Sequence, residues 1–239
     1  MYQFEHNKSP LNINRMIMIF VTYFVGYFIV FPFIIVFLSE EVFKTYDYVM
    51  QMQFGSYMIV ALIVFLLAKP LFVEANQNRF ENRRDNFAHA VKSIVIMYGL
   101  MFVINITLNL LTKQSSSINQ MDIIDMSNDY PLITFMMAVV LAPIIEEIVF
   151  RGVIFRSLRN INYPLAIIVS SLLFGLLHVI QSLFTGNYID LLYGSVYAML
   201  GYYLGLNYER SGNILVPIGM HVTLNFVSML LLFLARLAG

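Results

Sequence analysis

Six polar side chains sit in otherwise apolar stretches, at spacings that suit the hydrolysis of an amide bond. They form three short patterns. The first is Glu146-Glu147-Ile148-Val149-Phe150-Arg151. Glu147 and Arg151 are four residues apart with the acid first, so on a helix they share a face and can pair in the favourable order. Glu146 is turned about 100° away on the same helix. It is left without that partner and is free to act as a general base on water. The second pattern is Phe174-x-x-x-His178, which places an imidazole deep in an apolar run, one turn from an aromatic ring. His178 could share or orient the attacking water. The third is His221-x-x-x-Asn225, again one helical turn and one face. His221 and Asn225 could donate hydrogen bonds to the oxyanion of a tetrahedral intermediate, where one donor is typically worth about 100- to 1,000-fold in rate. Cysteine is absent, and no serine in these segments has a well-placed histidine. A covalent nucleophile is therefore disfavoured relative to water. Glu146, His178 and His221 could equally supply three zinc ligands with an open fourth position. No His-Glu-x-x-His motif accompanies them, and chemistry without a cofactor is the expectation.

These residues need elements to hold them, and the composition says what kind. Of 239 residues, 59% are apolar and 12% are charged. Soluble domains carry about 25% charged residues, so this chain is matched to lipid rather than water. The formal net charge is zero, and nothing points to a nucleic-acid partner. A helix needs about 20 apolar residues to cross the hydrocarbon core, and seven candidates are found, roughly 16–38, 48–73, 91–111, 131–150, 164–183, 190–206 and 213–236. The expected fold is all-α, a polytopic transmembrane helical bundle of about seven spans, within a range of six to eight. The first apolar stretch is followed by Ser39, Glu40 and Glu41 rather than a small-residue cleavage site, so it reads as a retained helix and not a removed signal. The fifth and sixth candidates are short and hold His178 and several glycines.

Basic residues orient the set. Lys69, Arg79, Arg83, Arg84 and Lys92 lie between the second and third spans, and Arg151, Arg156 and Arg159 follow the fourth. The positive-inside rule puts both groups on the cytoplasmic side. With Lys8, Arg15 and Arg210, that side holds 11 of the 14 Lys and Arg, giving a cytoplasmic N-terminus. A polar stretch at 112–130 divides residues 1–127, N-terminal transmembrane helices and a polar loop, from 128–239, which hold every polar residue of interest. Gly175, Gly194, Gly201, Gly205 and Gly219 would permit close helix approach. His6, His89 and Asp190 read as solvated surface, and Tyr and Phe as anchors at span ends. One tension stands out. If the fourth span ends near 150, Glu146 lies near its cytoplasmic end, whereas His178 falls some 15 residues into the next span, too deep to meet it.

Taken together, Glu-Glu-x-x-x-Arg, then Phe-x-x-x-His, then His-x-x-x-Asn resembles the CPBP family of intramembrane proteases, which includes the eukaryotic Ras-converting CAAX endopeptidase and the bacterial Abi proteins, some linked to bacteriocin processing and self-immunity. The resemblance covers roughly residues 130–230, and no motif position is missing. It implies a glutamate protease whose helices enclose a cavity open towards the cytosol. Glu146 and Glu147 would be its glutamate pair, Arg151 its arginine, His178 its second-motif histidine, and His221 and Asn225 its third motif, where some relatives have Asp in place of Asn. The implied partners are membrane lipid and a membrane-associated peptide or protein, such as a peptide precursor, a bacteriocin leader or a CAAX-like substrate. A bacterial cell membrane is the expected location. Two other classes remain open: a non-proteolytic scaffold or self-immunity factor that uses the same pocket for binding, and a proton or ion transporter. The last would be expected to show an inverted repeat, and none is seen.

Overall fold

The protein is described by a computed structural model covering residues 9–77 and 83–238. Among the described residues every regular element is helical. In chain order the helices are α1 (Ile13–Phe43), α2 (Val49–Leu67), α3 (Lys69–Gln77), α4 (Arg83–Thr112), α5 (Ile118–Asp129), α6 (Pro131–Arg159), α7 (Tyr163–Val179), α8 (Gln181–Thr185), α9 (Gly194–Ser211) and α10 (Leu215–Ala238), with a 3-10 segment at Tyr188–Tyr193. Their ends carry the expected signals. Asn12, Ser117 and Asn162 accept from the backbone N–H groups of Arg15, Gln120 and Leu165 and so cap α1, α5 and α7. Gly212, at φ 59°, closes α9 in the left-handed conformation that suits glycine.

Among the described residues, α1, α2, α4, α6 and α10 are each long and apolar enough to cross a membrane. Their outer faces expose large apolar side chains, among them Ile29, Phe33, Phe102, Leu111 and Leu237, as a lipid-facing surface would. The chain is an integral membrane protein of all-α architecture. The fifth and sixth candidate spans correspond to α7, a 17-residue apolar helix, and α9, which buries Asn207 and Glu209 against neighbouring helices. α9 is mostly packed against its neighbours, whereas α7 turns one apolar face outward through Ile168 and Leu172. One buried apolar cluster joins the N-terminal helices to α6 and α7: Ile19, Tyr23, Val60 and Val64 meet Ile145, Ile148, Val149 and Phe174.

The fourth span does not stop near 150. α6 runs on to Arg159, which corrects two expectations. Arg151 and Arg156 are not loop residues, since both are buried within the helix. Arg156 bonds Glu74 on α3 and the Tyr208 hydroxyl on α9, and Arg159 forms a two-pronged pair with Glu209. Lys8, Arg79 and His6 lie outside the described residues. The longer helix also puts Glu146 in mid-span. It sits about 13 residues before the α6–α7 turn, and His178 about 15 residues after it, which is roughly 20 and 22 Å along antiparallel helices. The two side chains are therefore level, and the depth conflict disappears.

α6 carries a proline in its interior, and its geometry adjusts around it. Residues Met136–Leu141 and Ile148–Phe155 form wide π-type turns on either side of Ala142–Glu147. In π register the donor to the Ala138 carbonyl would be the N–H of residue 143, and Pro143 has none. The Asn225 side chain supplies the missing hydrogen bond from α10, Nδ2 to the Ala138 carbonyl at 2.8 Å.

α7 and α9 cross closely because small residues line the contact. A Cβ on Gly175 would lie 2.6 Å from the Gly194 carbonyl oxygen and 2.9 Å from the Ala198 Cβ. The first is backbone and cannot swing away. Gly175→Ala is expected to cost about 1–3 kcal/mol, the usual range for overpacking. Gly219→Ala, which meets nothing within 4 Å, should cost nothing measurable. Thermal unfolding of the two variants in the same detergent checks this.

Candidate active site

The second glutamate of the pair is a structural anchor. Glu147 and Arg151 are both fully buried. Arg151 Nη1 donates to Glu147 Oε1 at 3.1 Å, and Arg151 Nε stands 3.1 Å from Oε2 as an ion pair without hydrogen-bond alignment. Arg151 Nη2 donates to the Gly201 carbonyl on α9 at 2.9 Å. The guanidinium also lies 4.7 Å from the centre of the Phe174 ring on α7, a cation–π arrangement. From α10, His221 Nδ1 lies 2.9 Å from Glu147 Oε1. A carboxylate oxygen accepts, so Nδ1 carries the proton and Nε2 faces the other way.

The first glutamate is placed otherwise. Glu146 is 8% exposed, and its Oε2 is buried with no hydrogen-bond partner among the described residues. Two imidazole nitrogens approach it: His178 Nε2 at 3.8 Å and His221 Nε2 at 4.0 Å. His178 Nδ1 is 2.8 Å from the Phe174 carbonyl, which can only accept, so Nδ1 is again the donor. Both rings are thus held in the same tautomer by fixed acceptors, and both turn Nε2 towards one carboxylate oxygen. The site opens on a cavity of about 290 Å³ whose wall includes Glu146, His178, His221 and Asn225. A small number of polar groups at one end of an apolar pocket is the usual form of a ligand site.

All six candidate residues are therefore brought together, in two layers. Glu147, Arg151 and one N–H of Asn225 serve the fold, whereas Glu146 and the two Nε2 atoms face the cavity. The oxyanion roles expected for His221 and Asn225 need restating in this geometry. The N–H of neutral His221 is spent on Glu147, so its Nε2 accepts unless it gains a proton. Asn225 has one N–H left after bonding Ala138. For zinc, no three His, Cys, Asp or Glu side chains among the described residues are arranged to hold a metal ion.

Residues 128–227 match the Rce1-like family. The matching model is described as Type II CAAX prenyl endopeptidase Rce1-like, and its range holds all six candidate residues. The chain is also 33% identical over 108 residues to the "Putative membrane peptidase YdiL" of Bacillus subtilis (strain 168), an alignment covering 45% of this chain and 40% of that protein. The chain thus spans less than half the length of that curated relative. No solved structure matches. The resemblance drawn from the three motifs, to CAAX-type membrane proteases over roughly residues 130–230, is borne out.

Some of the site's surroundings carried no sequence signal, both within the Rce1-like region and outside it. Tyr197 stacks on His178 with ring centres 4.3 Å apart and planes 15° apart. Its hydroxyl is held by Ser117 Oγ at 2.7 Å and Asn119 Nδ2 at 3.3 Å, at the start of α5. Asp190, expected on the surface, is fully buried. It accepts from Ser182 Oγ at 2.5 Å, Gln114 Nε2 at 2.6 Å and the Ile118 N–H at 2.9 Å, which fastens that start of α5 in place. From the N-terminal helices, Tyr23, Tyr27 and Tyr57 enter the cavity wall. These are mid-helix residues, not anchors at span ends.

The pair can be tested through stability. Arg151→Met leaves Glu147 buried without its counter-charge and should destabilise by about 3–5 kcal/mol. The double variant Glu147→Gln/Arg151→Met removes both charges and should recover most of that loss. Denaturation in detergent, with the double-variant cycle completed, measures the coupling.

Proposed function

We propose that this protein is an intramembrane endopeptidase that cleaves membrane-associated peptides or proteins with a water activated by Glu146. The observation that carries this reading is the unpartnered Glu146 Oε2, buried at the edge of a cavity and faced by two imidazole Nε2 atoms within 4.0 Å. An ionisable group without a partner is costly inside a membrane protein and is retained chiefly where it acts. The match to a family described as CAAX prenyl endopeptidases, and the resemblance to a membrane peptidase, support the same class.

In the reaction, water oxygen bonds to the substrate carbonyl carbon while Glu146 takes a water proton. His178 Nε2 accepts a hydrogen bond from the same water and orients it. The carbonyl oxygen becomes an oxyanion, for which the free N–H of Asn225 is the available neutral donor, joined by His221 if Nε2 is protonated. Glu146 then passes its proton to the leaving nitrogen as the C–N bond breaks. The products are a carboxylic acid and an amine. No step requires a metal. The substrate class is a peptide precursor, a bacteriocin leader or a CAAX-like protein terminus. A cytoplasmic N-terminus follows the distribution of the loop Lys and Arg, and a site that opens towards the cytosol of a bacterial cell is what the family resemblance implies.

Glu146→Gln preserves shape and removes the base. It is expected to lower peptide cleavage by at least about 100- to 10,000-fold, the range for a general base, while the protein accumulates normally in the membrane. Mass spectrometry of membrane and secreted peptides from cells with wild-type or variant protein reads the outcome. An unchanged peptide profile would leave the binding-only alternative standing.

A further inference from the structure

Tyr23 and Tyr27 are one turn apart on α1, and Tyr57 faces them from α2. Their rings form one cluster, with centres 4.6 Å apart for Tyr27 and Tyr57 and 6.3 Å for Tyr23 and Tyr27. All three line the cavity that holds Glu146. Tyr23 is 2% exposed and Tyr57 4%. The hydroxyl of a tyrosine whose ring is buried normally finds a hydrogen-bond partner, in the protein or in water. Elsewhere in the molecule this rule holds: Tyr98 donates to the Leu224 carbonyl, Tyr193 to the Gln114 carbonyl, and Tyr197 pairs with Ser117. The hydroxyls of Tyr23, Tyr27 and Tyr57 have no hydrogen-bond partner among the described residues. Three donors are thus gathered on the cavity wall with their bonding capacity unused, on helices outside the region that matches the Rce1-like family.

The charge of the cavity selects what they would bind. The fixed cation near the site, Arg151, is already paired with Glu147 and bonded to the Gly201 carbonyl. Glu146 contributes a carboxylate. A ligand carboxylate here would be desolvated next to another carboxylate, without a counter-charge, which is strongly unfavourable. Uncharged acceptors suit the phenols better, and a peptide chain carries one carbonyl per residue. We infer that Tyr23, Tyr27 and Tyr57 form a substrate-binding subsite that hydrogen-bonds the carbonyl groups of an uncharged stretch of peptide backbone beside the scissile bond. This rests on the endopeptidase reading. It adds that the N-terminal helices hold the substrate, and that the tyrosines grip uncharged backbone beside the scissile bond and not a terminal carboxylate.

The test uses the full-length protein in detergent. Its probe is a synthetic peptide spanning a cleavage site found among the products that vanish with Glu146→Gln. Tyr→Phe at each position keeps the ring and removes only the hydroxyl. Each change should raise KM by roughly 3- to 10-fold, the effect of one neutral hydrogen bond, with kcat within about twofold. A purely structural ring would leave KM unmoved by Tyr→Phe. Tyr202→Phe, at an exposed ring outside the cavity wall, is the control. Unchanged KM in all three variants and in the triple variant overturns the subsite while leaving the protease reading intact, as does a fall in kcat at constant KM. If no product depends on Glu146, the protease reading falls and the subsite falls with it.

Discussion

The buried pair of Glu147 and Arg151 organises the bundle. Two charges with no access to water are tolerable only when they are paired and held by further polar contacts. Holding them takes four helices. α6 supplies both charges, α9 the Gly201 carbonyl, α10 the His221 imidazole, and α7 the face of Phe174. The close crossing of α7 and α9, set by Gly175 against Gly194, brings that carbonyl and that ring to the guanidinium. The pair therefore works as a register pin more than as a source of net stability. Helices that slide against one another break its contacts and leave a charge stranded.

From that pin the character of the site follows. His221 is fixed by Glu147 in the tautomer that leaves Nε2 to the cavity. His178 is fixed the same way by the Phe174 carbonyl and held flat by Tyr197. Glu146, one residue from Glu147 but about 100° around the helix, gains no such partner. The adjacent carboxylates thus have different environments: Glu147 is held by Arg151 and His221, whereas Glu146 meets only two imidazole nitrogens at 3.8 and 4.0 Å. Asn225 contributes to this division as well. By bonding the Ala138 carbonyl that Pro143 leaves open, it ties α10 to the widened turn just before the glutamate pair.

Much of this was legible in the sequence, because ionisable residues are conspicuous in apolar stretches. The Glu147–Arg151 pairing and the separation of Glu146 follow from helical spacing alone, and the structure agrees. What spacing could not reveal was the true length of α6. Arg151 and Arg156 resemble the basic end of a span, since a buried arginine and a solvated one are the same letter. Only their partners distinguish them: Glu147 in the first case, Glu74 and Tyr208 in the second. Reading α6 as ending near 150 made His178 too deep, and extending it to Arg159 removed the conflict. Asp190 was misjudged for a similar reason. It sits at a segment boundary, where acids are usually wet, and the Gln114, Ser182 and Ile118 groups that bury it come from scattered positions. The tyrosines of α1 and α2 were hidden by type, since tyrosine is common in membrane helices. Their distinguishing feature is an unused hydroxyl, which needs coordinates to see.

The central claim is that one glutamate holds the fold and its neighbour does not. It is tested most directly by the unfolding midpoints of wild type, Glu146→Gln and Glu147→Gln, measured side by side in one detergent. Glu147→Gln leaves Arg151 buried without a full counter-charge and should unfold clearly earlier than wild type. Glu146→Gln removes an unpartnered buried carboxylate and should unfold at the wild-type midpoint or later. Equal destabilisation by the two changes, or a larger loss from Glu146→Gln, would contradict the account.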